Sequence, residues 1–434
     1  MRVGAAAALR PLRYRNFAVL WTAGLVSNVG TWMQTVAVGA LVISRTGQAS
    51  WAVLVAAGAF LPIGLLSPVG GALADRLPRR LVIAAGNFAA GLIAAVIAAL
   101  VAAGHDDPSG LLALVTAQGA VSALIGPFTQ AILPDLVPRS EFLAASSLNS
   151  AQWNAGRIIG PALAGAVIAA FGYAASFTAN AVSFLAVVGA VLCIRLAPPP
   201  GSEARLMSSM RDGLRAAWAQ PSCRAATVTM GAVAFLAAPF IALVPAVALN
   251  LSRHVAAATA ALTTAQGAGA VAGALILPPL ALRIGRGRAL AWSLALLPVA
   301  LIGYGATRSL WLAVAALFVV GLVYMGVLAG LQTAVQLHAP AAYRGRVLSF
   351  FLVALGVAYP IGALVQGPVA DHIGVGWTTV CAALVLTAIC LLTAWRSPGF
   401  VRALTADEPT DGRDKIAAGP VDAAEPAGEP AGAG

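Results

Sequence analysis

The sequence predicts an all-α membrane protein whose twelve transmembrane helices form two six-helix bundles, and three observations carry that prediction. Of its 434 residues, 60% are hydrophobic and 9% charged, with a mean hydropathy of +0.88, far too apolar for an ordinary soluble domain. Apolar runs long enough to cross a hydrocarbon core of ~30 Å recur along the whole chain with short connections. When these runs are threaded back and forth, 22 of the 26 Lys and Arg fall on one side, the asymmetry that cytoplasmic loops carry.

The first run, 17–43, ends at Arg45 and Gly47. It follows Arg2, Arg10, Arg13 and Arg15 but is too long for a signal-peptide core and lacks a small-residue cleavage site, so it is expected to remain as the first helix. Runs 51–74, 81–103 and 110–134 are separated by the charged turn after Asp75, the Gly104–Pro108 turn and the Asp135–Glu141 segment. Runs 143–171 and 173–196 meet at Gly172 and complete six crossings. The second six are 223–249, 257–281, 289–306, 309–335, 346–371 and 375–395, divided by turns carrying Arg253, Arg283 to Arg288, Arg308, Arg344 and Gly374.

This gives a cytoplasmic segment 1–16, an N-terminal bundle 17–196, a cytoplasmic linker 197–222, a C-terminal bundle 223–396 and a tail 397–434. The linker opens on three prolines and a glycine, and its Leu206–Trp218 stretch has the pattern of an amphipathic surface helix. The tail has few large apolar residues, so it is expected to be disordered. Arg45, Arg253 and Arg308 alone fall in external loops and Arg157 alone within a run, which places both termini in the cytoplasm. The two bundles echo each other weakly. Residues 71–80 align with 278–287, and Pro138, Ser147, Gly160, Gly165 and Gly172 align with Pro340, Ser349, Gly362, Gly367 and Gly374, as in transporters built from repeats.

The net charge of +11 is scattered among apolar runs and points to topology, with no nucleic-acid partner. Cys193, Cys223, Cys381 and Cys390 have no metal-type spacing and are expected to be buried free thiols. No metal, cofactor or catalytic group is implied. The chain has no H-E-x-x-H, no paired carboxylates within a run, no nucleophile beside a base and no phosphate-cradling P-loop, which argues against a membrane-embedded enzyme and against ATP drive. No run repeats a charged or carbonyl-lined filter, which argues against a channel.

Three groups of residues carry a resemblance. Gly71-Ala-Leu-Ala-Asp-Arg-Leu-Pro-Arg-Arg80 resembles the signature loop between helices 2 and 3 of the major facilitator superfamily, with Pro78 where that pattern has glycine. Gly156-Arg-Ile-Ile-Gly160-Pro161-Ala-Leu-Ala-Gly165 resembles the helix 5 motif of its antiporters, with Ala164 replacing one glycine. Gly30-Thr-Trp-Met-Gln34, the Pro134–Glu141 segment and Arg344-Gly-Arg-Val347 are similar to the bacterial branch that contains the enterobactin exporter and macrolide-efflux proteins. The resemblance spans about residues 10–396. It implies the major facilitator fold, export of a small amphiphilic molecule by alternating access, and proton antiport. It also implies gating by Asp75, with Arg76, Arg79 and Arg80 beside it, Asp135 as a second anchor and the start of helix 11 as target. A carboxylate near a helix N-terminus is held by the partial positive charge there.

Arg157 is the most informative residue, because a bare charge in mid-membrane costs ~2.5–3.5 kcal/mol on insertion scales. It shares a helical face with Ser146, Ser150, Trp153, Asn154 and Pro161, and helix 1 offers a matching stripe in Trp21, Gly24, Asn28, Thr31, Trp32 and Thr35. These stripes are expected to line a substrate cavity, with Arg157 either binding an anionic or strongly hydrogen-bonding group or clipping helix-end carbonyls. Gln118, Tyr324 and Gln332 are further candidates, as substrate contacts or as polar glue between helices. None of the 15 acidic residues and none of the four histidines falls within the middle of a run. Coupling to protons is therefore expected through Asp371 and His372, through Asp75, or through displacement of substrate from Arg157, and gradient-driven facilitation is the alternative.

Overall fold

The computed structural model describes residues 9–74, 76–194, 215, 218–340 and 344–406, the side chains of Ala72, Arg344, Gly345, Arg346 and Ser349 aside. Twelve of its helices are long and apolar enough to cross a membrane. We label them α1 (Arg15–Thr46), α2 (Ala49–Ala74), α3 (Arg79–Ala102), α4 (Pro108–Ala131), α5 (Phe142–Phe171), α6 (Tyr173–Cys193), α7 (Pro221–Leu251), α8 (Val255–Ile284), α9 (Arg286–Gly305), α10 (Leu310–His338), α11 (Arg344–Ile373) and α12 (Val375–Arg396). Each expected run became one membrane-spanning segment. The ends differ by a few residues because polar groups such as Arg15, Arg344 and His338 continue the helical hydrogen bonding beyond the apolar stretch.

Several connections are tighter than their composition suggests. Gly47, Gly172, Gly285 and Gly374 end or join helices with positive φ, a backbone conformation open to glycine without steric penalty. Asp107 caps α4, its carboxylate accepting from the Gly110 amide at 3.0 Å and from the Ser109 hydroxyl. Both contacts hold this exposed carboxyl below its usual range, the Ser109 hydroxyl having the larger effect. The α7 span is broken into Pro221–Leu236 and Phe240–Leu251. Pro239 cannot donate to the helix, and Gln366 of α11 donates to the carbonyls of Phe235 and Leu236 at 3.0 and 3.1 Å, so the break is internally satisfied.

Two expectations are corrected. Residues 398–405 are not a free tail: they form a short helix, α13 (Pro398–Thr405), with Leu404 buried against the C-terminal core. Phe400 packs against the same core, an apolar contribution that the Ala/Gly/Pro/Asp/Glu composition of the remaining tail masked. The cysteines are not uniformly buried. Cys223 is buried, but Cys193 and Cys381 are exposed on the helix surfaces, because a lipid-facing position suits a thiol as well as a core does. The linker expected at 197–222 and its amphipathic stretch fall largely outside the described residues, as do 407–434.

The helices pack as two groups of six. In the first, α2 lies on α4, α3 on α6, and α1 on both α5 and α6; in the second, α8 lies on α10, α9 on α10 and α12, and α7 on α11. The groups meet chiefly along two seams, α2 with α11 and α5 with α8, with smaller contacts of α1 and α2 on α7 and of α1 on α8. Helix 5 of one group corresponds to helix 11 of the other and helix 2 to helix 8, so the two seams are the same contact made twice, as the sequence echo predicts.

Candidate functional site

Small residues set how closely the helices around Arg157 approach. A β-carbon on Gly156 would lie 2.9 Å from Asn28 Cβ, and one on Gly160 would lie 2.6 Å from Trp32 Cβ and 2.7 Å from the Val29 carbonyl, so both glycines seat α5 directly on α1. Pro161 is buried one step further on. Gly165 faces the other half, its β-carbon position 2.9 Å from Ala260 of α8, and Gly267 of α8 comes equally close to the Arg157 carbonyl. The helix 5 motif thus packs α5 simultaneously against its own half and the opposite one.

That packing puts the Arg157 guanidinium 5.8 Å from the centre of the Trp32 ring, within cation–π range. Trp153, nearly half exposed, meets Trp32 edge-on at 5.7 Å. The phenols of Tyr324 on α10 and Tyr359 on α11 lie within electrostatic reach of the same guanidinium. Each tyrosine is wedged by a phenylalanine: Tyr324 by Phe240 of α7 at 5.7 Å, and Tyr359 by Phe60 of α2 at 5.8 Å. Arg157 Nε and Trp32 Nε1 are buried without a hydrogen-bond partner among the described residues. The site is therefore a donor-rich, aromatic-walled place where both halves meet. The sequence supplies no carboxylate there to neutralise the arginine.

The remaining expected site residues divide. Asn28 donates to Gln152 at 3.3 Å, and Gln152 donates to the Trp21 carbonyl, so the outer parts of the two stripes zip α1 to α5. Asn154 bonds its own helix at the Ser150 carbonyl, 2.8 Å away, and Thr31 receives the Thr35 hydroxyl. Gln332 is half-buried two turns along α10 from Tyr324. Gln118 is separate: it accepts from Gln34 and donates to the Ala90 carbonyl at 3.3 Å, while Asn180 donates to Gln34 at 2.7 Å. This buried amide relay joins α1, α4, α3 and α6, and accounts for Gln34 in the helix 1 motif as a structural element. Sequence reasoning missed Tyr359 and Gln152. Gly356, Pro360 and Gly362 around Tyr359 were a signal for the former.

At the face that carries the termini, Asp75 lies outside the described residues, and so do the side chains at the start of α11. Arg76 is exposed. Arg79 makes an ion pair with Asp135 at 3.1 Å and donates to the Ala131 carbonyl at 3.0 Å, and Arg80 donates to the Leu192 carbonyl. The described basic residues of the signature loop therefore tie α3 to the ends of α4 and α6 within one half.

The family model for transmembrane secretion effectors of the major facilitator type matches residues 6–410. The chain belongs to that family. It is a multi-pass membrane transporter of the major facilitator superfamily and not an enzyme. The multidrug efflux pump Tap of Mycobacterium tuberculosis is 28% identical over 397 residues, covering 88% of this chain and 93% of that protein. The staphyloferrin A transporter of Staphylococcus aureus is 29% identical over a shorter stretch, 39% of this chain and 42% of that one. Among solved structures, a bacterial homologue of the human lysosomal transporter Spinster superposes with a TM-score of 0.70 at 15% identity, covering 92% and 99% of the two chains. A bacterial homologue of the iron transporter ferroportin gives 0.64 at 17% identity, covering 88% and 99%.

Proposed function

We propose that this transporter exports a small amphiphilic, acceptor-rich molecule from the bacterial cytoplasm by rocking of its two halves around Arg157. The observation that carries the reading is the half-buried Arg157 side chain, whose buried Nε has no partner among the described residues, flanked by Trp32, Trp153, Tyr324 and Tyr359 from both halves. An intramembrane charge without a counter-charge is retained for a ligand or a pathway. Aromatic faces accept the apolar part of an amphiphile, and the guanidinium takes a carboxylate, phenolate or carbonyl. The activities of the relatives, multidrug efflux and siderophore transport, favour export of such molecules.

The positive-inside count supports cytoplasmic termini at the inner membrane. In that frame the cross-half approaches described here, from Gly64 with Gly356 and Arg157 with Gly267 out to Gly39 with Pro245 and Gly367 with Ser50, run from mid-membrane to the external face. Among the described residues this supports an inward-open arrangement, ready to load from the cytoplasm. Proton antiport is the drive we assign, through Asp371 and His372 at the external end of α11, through Asp75, or through displacement of substrate from Arg157. A gradient-driven facilitator is the second reading, favoured by the lack of any carboxylate or histidine in the middle of a span. Inverted vesicles separate them: uptake of a candidate siderophore, macrolide or organic acid that collapses when nigericin removes the pH gradient supports antiport. Uptake indifferent to nigericin supports facilitation. Failure of every anionic or acceptor-rich candidate, with hydrophobic cations moving instead, would overturn the assigned substrate class.

A further inference from the structure

At the face remote from the termini, Asp371 near the end of α11 reaches across the boundary between the halves to the start of α2. Its Oδ1 accepts from the Ala49 amide at 2.5 Å, and its Oδ2 accepts from the Ser50 amide at 3.2 Å. The first amides of a helix have no partner within that helix. Here a carboxylate from the opposite half satisfies two of them, with its charge placed at the positive end of the α2 dipole. The backbone is close enough for this because Gly367, one turn earlier on α11, sits where a β-carbon would lie 3.0 Å from Ser50 Cα and 3.2 Å from Val53 Cβ. Below that point the same seam continues through Phe60 with Tyr359, which touches the Arg157 site, and Gly64 with Gly356.

We propose that Asp371 is the latch of the transport cycle at this face: by capping α2 from the other half it holds the face closed, and its release is required for the face to open. The contact differs in kind from the apolar seam beneath it. An apolar seam loosens gradually as helices tilt, whereas a two-amide cap is either made or lost over about an ångström, because hydrogen bonds weaken steeply with distance and angle. The cap therefore gives the closed state a defined end point. It also links that state to the Arg157 site through α11, since Tyr359 and Asp371 lie on one continuous helix.

The inference rests on the rocking reading, and the test separates the two. Spin labels at His105 and Arg308, exposed turns of the two halves at this face, report its opening by electron–electron distance measurement in nanodiscs, with the four native cysteines replaced by alanine. A second pair at Arg139 and Arg286 reports the opposite face. Losing a helix cap of ordinary strength raises the open-to-closed ratio about fivefold, so Asp371→Ala should add or enlarge a long-distance population at the first pair. Asp371→Asn keeps an acceptor oxygen and should fall between Ala and wild type; it also carries the test if Asp371→Ala does not fold. A first-pair distribution unchanged in a folded variant overturns the latch. A first pair that lengthens while the second shortens supports latch and rocking together. A first pair that lengthens with the second unchanged supports the latch but removes the rocking reading.

Discussion

Replacing Arg157 with glutamine separates a binding role from a structural one. The guanidinium makes a cation–π contact with Trp32 at 5.8 Å, a type of contact that contributes about 0.5–1 kcal/mol, and no ion pair among the described residues. Against that small loss stands relief from burying a charge in the membrane, about 2.5–3.5 kcal/mol on insertion scales. The folded protein without ligand should therefore be at least as heat-stable as wild type. Binding is different: a hydrogen bond to a charged partner contributes about 1.5–3 kcal/mol, so an anionic or acceptor-rich ligand should lose roughly 10- to 150-fold in Kd. Trp32 and Trp153 provide the assay, because both rings border the site and their fluorescence should respond to occupancy. Catecholate siderophores, macrolides, organic acids and hydrophobic cations can be titrated into wild type, Arg157→Gln and Arg157→Lys. Weakened binding of acceptor-rich ligands at an unchanged or raised thermal midpoint is the expected result. A parallel loss of stability and binding would make Arg157 a clip between helices and remove it from the substrate site.

Other perturbations follow from the same geometry. Gly160→Val would drive a side chain into Trp32 and the Val29 carbonyl, and overpacking of this kind typically costs about 1–3 kcal/mol; a lowered unfolding midpoint in detergent checks it. Gln34→Leu strands the amides of Gln118 and Asn180, each worth about 1–3 kcal/mol when buried and unpaired, and should destabilise more than Gln332→Leu at the half-buried position on α10. Arg79→Ala removes both the Asp135 pair and the bond to the Ala131 carbonyl; accelerated hydrogen exchange confined to the ends of α3 and α4 is expected, and unchanged exchange there would contradict the assigned contacts. Asp107 is held below the usual carboxylate range by its capping contacts, so its contribution is present above the ordinary carboxylate pKa and is lost as pH falls through the depressed folded value. The acid limb of the stability profile should flatten in Asp107→Asn.

The number of helices, their order and the division into two bundles were legible because a membrane allows few solutions: a spanning segment must satisfy its own backbone and must be about 20 apolar residues long. Arg157 was legible for the same reason, since a lone charge in a long apolar run has no neutral explanation. Its companions were less so. Trp32 could be placed by helical spacing from Asn28, but Tyr359 joins the site only through the seam between halves, a contact more than 200 residues apart in sequence. Gln118 and Gln34 were ambiguous because a buried amide serves equally as ligand contact or as glue, and only the pairing with Asn180 decides between them. The cap on α2 was hidden for a related reason: Asp371 reads as an ordinary helix-end acid until the first amides of a distant helix are found against it.

The short helix after α12 has a practical consequence for anyone handling this protein. Leu404 is buried, and the Thr405 carbonyl rests on Gly287 at the start of α9, where even a methyl group would collide. Trimming the chain after Arg396 to remove a seemingly featureless extension would uncover an apolar notch at the entrance to the C-terminal half and free the first turn of α9. Tags, reporter fusions and protease sites belong beyond residue 406, where they leave that plug seated.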